Sequence, residues 1–131
     1  MNMTKWIPLL LALSLLAGCA APAETTPGYR QITMDEAIAM IAREEDYIIL
    51  DVRTPEEFQE KHIPGAVNYP NESIGSQQIP VLPDKEQLIL VYCRSGNRSK
   101  QASEKLVSLG YTNIVEFGGI NDWPGETVTG S

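Results

Sequence analysis

Soft metal donors are scarce in this chain of 131 residues, which has two cysteines, Cys19 and Cys93, and a single histidine, His62. A zinc site needs three or four convergent ligands, so no metal-ligand cluster is expected. Basic residues are also short, with 10 Lys plus Arg against 17 Asp plus Glu and a net charge of -7. Nucleic-acid binding depends on a basic surface that displaces phosphate counterions, and this balance argues against it. No apolar run reaches the roughly 20 residues a spanning helix needs. Repeats and low-complexity tracts are absent after Gly28. The length supports one domain at most. Without an N-terminal export segment, a chain this small buries only roughly 65% of its unfolded surface. A monomer is the default state.

What the chain does have begins with its first residues. Lys5 precedes an apolar stretch from Trp6 to Ala17, interrupted only by Pro8 and Ser14. That stretch is the size of a secretory h-region. It ends in Leu16-Ala17-Gly18-Cys19, which resembles the lipobox of bacterial lipoproteins. The resemblance implies a signal peptide over residues 1–18, lipid attachment at Cys19 and an anchored place in the cell envelope. Each acyl CH₂ then contributes about 0.8 kcal/mol of membrane affinity. The alternative is an ordinary cleaved signal with Cys19 as a bystander. In a host with two membranes, Ala20 lacks the Asp that resembles an inner-membrane retention signal, so outer-membrane sorting is expected. Residues 19–28 contain Pro22 and Pro27 and no core-forming residue, which suits a flexible tether. The folded domain is expected over residues 29–131.

Strand and helix patterns alternate through that domain. Tyr29–Ile32 is a short strand candidate. Thr33 and Glu36 match a capping box for a helix running to about Glu44, with Ala37, Ile38, Ile41 and Ala42 as its apolar stripe. Tyr47-Ile48-Ile49-Leu50, ending in Asp51, is a continuous apolar run of the kind buried on both faces of a parallel sheet. Thr54-Pro55-Glu56-Glu57 opens a short helix ending near Lys61. A brief strand is expected at 66–68, then a loop with one helical turn near Ile74. Leu88 to Tyr92 is the clearest strand. Ser99 to Leu109 reads as a helix stopped by Gly110, and Ile114 to Phe117 as a last strand. This order predicts an α/β domain with a mainly parallel sheet, whose ligands sit at the carboxyl ends of strands. Cys93 occupies such an end.

The segment Cys93-Arg94-Ser95-Gly96-Asn97-Arg98-Ser99 joins that strand to the following helix. A loop entering a helix N-terminus turns several backbone amides toward one point and can cradle an anion. Gly96 permits the positive dihedrals such a loop needs. Acids crowd the chain from Asp35 to Glu60, whereas Arg94, Arg98, Lys100 and Lys105 fall together with only Glu104 among them. That basic island suggests an anion site. A free thiol is only about 3% thiolate at pH 7, and lowering its pKa by about two units makes it mostly thiolate. Helix N-termini and arginines supply shifts of that size. An inert buried thiol is the plain alternative for a cysteine ending a strand; the arginines, the glycine and the following helix weigh against it.

The loop resembles the active-site loop of rhodanese-like domains, with Cys93 in the persulfide-forming position. Leu50-Asp51-Val52-Arg53 with Glu56-Glu57-Phe58, then His62-Ile63-Pro64-Gly65-Ala66, and lastly Gly118-Gly119 with Trp123 resemble further family signatures, in family order. The resemblance implies a five-stranded parallel sheet flanked by helices and ping-pong sulfur transfer without a cofactor. Cys93 would take sulfur from a small anionic donor such as thiosulfate and pass it to cyanide or a thiol. Arg94, Ser95, Gly96, Asn97, Arg98 and Ser99 would hold the sulfur and the donor. Asp51 and Arg53 would brace the loop, His62 would make a structural hydrogen bond, and Trp123 would pack.

Two other functions compete. A phosphatase or arsenate reductase resembles a case with five residues between Cys and Arg, where four separate Cys93 from Arg98 here. A non-catalytic binding or redox-sensing module would instead use an exposed, ionised thiol that oxidises readily.

Overall fold

The computed structural model describes residues 28–131. The signal peptide, Cys19 and the tether up to residue 27 lie outside the described residues. Five strands, β1 (Tyr29–Gln31), β2 (Tyr47–Asp51), β3 (Val67–Asn68), β4 (Leu88–Cys93) and β5 (Ile114–Gly119), form one sheet in the order β1-β5-β4-β2-β3. Every pairing in it is parallel. The helices are α1 (Met34–Arg43), α2 (Pro55–Glu60) and α3 (Asn97–Ser108). This is the expected α/β architecture, with β4 at its centre.

Side chains alternate across a strand, and the two cores follow from that. Ile89, Val91 and Cys93 of β4 point into one core with Ala102 and Leu106 of α3. Leu90 and Tyr92 point into the other with Ala37 and Met40 of α1 and Phe58 of α2. Both faces of β4 are therefore covered, which explains its unbroken apolar run.

Local signals set the helix ends. Thr54 and Glu57 complete their capping box at the start of α2. Thr33 forms half of the expected box, accepting the Glu36 amide at 3.1 Å. The apolar stripe of α1 differs from the expected one, because Met40 is buried and Ala42 is exposed. α3 starts two residues before the expected Ser99. Its N-cap is Gly96, at φ 109°, with no side-chain cap. A cap without a side chain leaves no sequence signature of the kind Ser, Thr, Asp and Asn provide.

A polar tie crosses the carboxyl ends of β2 and β4. Asp51 is fully buried and Arg53 nearly so. Arg53 donates to both Asp51 carboxylate oxygens, Nη2 at 2.6 Å from Oδ2 and Nε at 3.0 Å from Oδ1. The same Nη2 donates to the Lys61 carbonyl at 2.6 Å. The Tyr92 hydroxyl donates to Asp51 Oδ2 at 2.5 Å and accepts the Ile63 amide at 3.2 Å. Burial and the neighbouring carboxylate push the Tyr92 phenol well up, so it remains a donor. Burial opposes the Arg53 charge, but its hydrogen bonds to Asp51 and that residue's charge prevail and raise its pKa.

Removing one partner of such a pair strands a buried charge. Asp51→Ala is expected to lower unfolding free energy by about 3–5 kcal/mol, read as a fall in the urea midpoint with little change in slope.

Candidate active site

Cys93 is the last residue of β4 and is 1% exposed. Its Sγ accepts the Gly96 amide at 3.0 Å and lies 3.4 Å from Ser99 Oγ. The amides of Asn97, Arg98 and Ser99 follow in the first turn of α3, where a helix has no internal acceptor for its N–H groups. No capping side chain occupies that turn. The sulfur thus sits at the positive end of the helix dipole, with one amide already directed at it. Gly96 allows this by its positive φ, a region costly for residues with a Cβ.

β5 closes the loop from the other side. A Cβ on Gly119 would lie 2.0 Å from the Arg94 carbonyl oxygen and 2.6 Å from the Ser95 nitrogen. Gly119 has φ -134°, open to any residue, so this glycine serves close approach. The Arg94 carbonyl then accepts the Asn121 amide at 3.2 Å.

The basic island divides on folding. Arg98 donates to both carboxylate oxygens of Glu57, at 2.7 and 3.0 Å. The Arg98 hydrogen bond holds the Glu57 carboxyl down at about 2, against opposing burial, and the Thr54 amide adds to the effect. Lys105 donates to the Asn71 carbonyl and side chain at 2.9 and 3.0 Å. Of the two arginines expected to bind a donor anion, Arg98 is paired with Glu57. Arg94 is exposed. It borders a cleft of about 170 Å³ together with Arg53, Glu57, Glu60, Lys61, Ile120 and Asn121. A larger hollow of about 540 Å³ lies between Ile74 and Leu109 and includes none of the loop residues.

The other candidates fall as follows. Ser95 and Asn97 are exposed, and Ser99 is buried. Asp51 and Arg53 make their side-chain hydrogen bonds to each other, to Tyr92 and to the Lys61 carbonyl, and Arg53 lines one cleft with Arg94 of the loop. They fix Tyr92, next to Cys93, and the Lys61 turn. His62 makes its structural hydrogen bond, Nδ1 to the Phe58 carbonyl at 2.8 Å, and stacks on the Phe58 ring at 3.7 Å. Trp123 packs against the α1 core and donates to the Glu126 carbonyl. Cys93 is buried, whereas the redox-sensing alternative assumes an exposed thiol. Two acids escaped sequence reasoning as site residues. Glu57 is legible as a helix cap and within the Glu56-Glu57-Phe58 signature but not as the partner of Arg98, and Glu116 of β5, 3% exposed, accepts from Ser99 Oγ at 2.6 Å. No group of acids, cysteines and histidines suited to a metal occurs among the described residues.

Comparison with known proteins gives a consistent set of similarities. The family model described as Rhodanese-like domain matches residues 33–126. The thiosulfate sulfurtransferase PspE of Escherichia coli (strain K12) is 40% identical over 73 residues, which are 56% of this chain and 70% of that protein. The thiosulfate sulfurtransferase GlpE of Pseudomonas entomophila (strain L48) is 32% identical over 108 residues, 79% of this chain and 95% of that one. The solved structure of a rhodanese with anions from E. coli superposes with a TM-score of 0.59 at 38% identity, covering 64% of this chain and 99% of that chain.

The clasp between Arg98 and Glu57 carries a pH signature. Glu57 falls from 4.5 to about 2 on folding. Its stabilisation is complete above the unfolded value and is lost as pH drops through the folded one. Acid titration of stability should therefore fall between pH 4.5 and about 2, and Glu57→Gln should flatten that window in urea midpoints measured across it.

Proposed function

This chain belongs to the rhodanese-like domain family, and from that membership we propose that it is a sulfurtransferase carrying sulfur as a Cys93 persulfide. The observation that carries the reading is the Gly96 amide 3.0 Å from Sγ at the uncapped start of α3. Negative charge on sulfur is favoured at that point by the helix dipole and by hydrogen bonding to the charged form.

The Cys93 thiolate attacks the outer sulfur of thiosulfate. A bond forms between the two sulfurs, and the bond to the SO₃ group breaks with its electron pair leaving on sulfite. The new terminal sulfur carries the negative charge and is held by the amides of Gly96 to Ser99. Cyanide or a thiolate then attacks that terminal sulfur and returns Cys93 to the thiolate. Arg94 supports the reading as the exposed cation beside the loop, placed to attract an anionic donor without surrendering an existing partner. Ser95 and Asn97 contribute backbone more than side chain. Burial of Sγ favours a compact donor group. The short spacing from Cys93 to Arg98 favours a single sulfur atom over a phosphate or arsenate.

The domain is further proposed to be exported and held at a membrane of the cell envelope through lipid on Cys19. Among the described residues no helix is long and apolar enough to cross a membrane, so attachment in this reading falls to the lipid. Tyr29 begins β1 at the amino ends of the parallel strands, whereas Cys93 ends β4. A tether entering at Tyr29 would attach at the end of the sheet opposite the reactive loop.

Cys93→Ser is expected to reduce thiosulfate:cyanide transfer to the uncatalysed background while leaving the circular dichroism spectrum and urea midpoint nearly unchanged. Wild-type turnover in that variant would remove Cys93 from its role. Cys19→Ala should move the protein from the membrane fraction to the soluble fraction and leave its specific activity intact, measured after fractionation of expressing cells.

A further inference from the structure

Glu116 is a buried carboxylate that the sulfur-transfer scheme leaves unused. It lies on the β5 face that packs on α3, beside the core containing Cys93. Among the described residues no Lys or Arg forms an ion pair with it. Its Oε1 accepts from Ser99 Oγ at 2.6 Å and from the Gly118 amide at 2.9 Å. Burying a carboxylate without a cation is destabilising even after partial hydrogen bonding, and an apolar residue there would avoid that cost.

Ser99 links this acid to the reactive sulfur. Its hydroxyl has one proton and four neighbours: Glu116 Oε1 at 2.6 Å, the Gly96 carbonyl at 2.9 Å, the Gly118 carbonyl at 3.4 Å and Cys93 Sγ at 3.4 Å. With Glu116 ionised, the shortest contact takes the proton, and a lone pair of Oγ faces Sγ. A thiol can donate to that lone pair, whereas a thiolate is repelled by it. With Glu116 protonated, its O–H donates to Oγ and the serine proton turns to Sγ, where it stabilises a thiolate.

We propose that Glu116 is a positioning residue which, through Ser99, sets the direction of the hydrogen bond at Cys93 Sγ and takes up the proton that the thiol gives up. The two arrangements are S–H···O–H···⁻O₂C and S⁻···H–O···H–O₂C. They interconvert by moving one proton from sulfur to Oγ and one from Oγ to Oε1. Nothing else is gained or lost, and one negative charge passes from carboxylate to sulfur. The other ionisable groups facing the pair are few. Tyr29 of β1 is raised mainly by burial, with Glu104 and Glu116 adding to it. Arg98 of α3 feels the charge of Cys93 but is bound to Glu57. The relay rests on Cys93 being the nucleophile of the proposed function.

Alkylation by iodoacetamide tests it on the full chain, with modification read on the Cys93 peptide by mass spectrometry across pH. In the relay, wild type gives a rate profile with two steps: one as the pair loses its first proton, one as it loses its second. Glu116→Gln still accepts from Ser99 but cannot take the proton, and Ser99→Ala cuts the link. Each should show a single step and react about tenfold or more slowly on the acid side, the loss that accompanies a one-unit fall in thiolate ionisation. Glu116→Asp should restore the two-step shape. A Glu116→Gln profile that superposes on wild type would overturn the proposal, as would an acid step that survives in Ser99→Ala. Should either variant fail to fold, the other still decides. Alkylation does not require sulfur transfer, so a wild type with two steps that accepts no sulfur contradicts the proposed function and not the relay.

Discussion

The Gly96 amide directed at Cys93 Sγ is the contact around which the site is arranged. For the N–H to reach the sulfur, the chain must leave β4, turn through a left-handed residue and enter α3 within a few residues. Gly96 permits the turn. Gly119 lets β5 come within van der Waals range of the loop backbone, where any Cβ would collide with Arg94. The absence of a capping side chain keeps the first-turn donors of α3 free. Relative to glycine, a Ser or Asp at the N-cap would add only about a few tenths of a kcal/mol to the helix, and its oxygen would compete for the amides that hold a transferred sulfur in the proposed function.

Charges around this contact are arranged by whether they already have partners. Asp51 with Arg53, and Glu57 with Arg98, are matched pairs that hold the ends of β2, α2 and α3 in register. Arg94 is left toward solvent at the cleft. In the proposed function, an incoming anion would be attracted there without breaking a buried ion pair, which costs several kcal/mol. Behind the sulfur, Glu116 and Ser99 provide a negative group on the face away from the cleft. In the proposed function, positive charge would lie on the approach side and proton-accepting capacity on the inner side, a polarity suited to a sulfur that gives its proton inward and then meets an anionic donor.

Much of this could be read from residue order. The apolar runs at 47–50 and 88–92 mark strands covered on both faces, and Thr54-Pro55-Glu56-Glu57 marks the start of α2. Cys93 at a strand end, followed by Gly96 and a helix, pointed to the candidate site. Other features depend on distance in space. Arg98 meets Glu57 across 41 positions of sequence, and no local pattern reveals that an arginine beside a cysteine is already occupied. Glu116 falls in Ile-Val-Glu-Phe, where an acid suggests a solvent-facing strand position; the cover of α3 over β5 turns it into a buried group. The start of α3 was obscured because a glycine N-cap has no side chain to signal it.

The central claim is that residue 93 carries sulfur. Intact-mass analysis of the purified chain after incubation with thiosulfate and removal of excess donor tests it directly. The account predicts the addition of one sulfur atom, located on the Cys93 peptide and removed by cyanide. An unchanged mass in a folded protein with a free Cys93 thiol would contradict it.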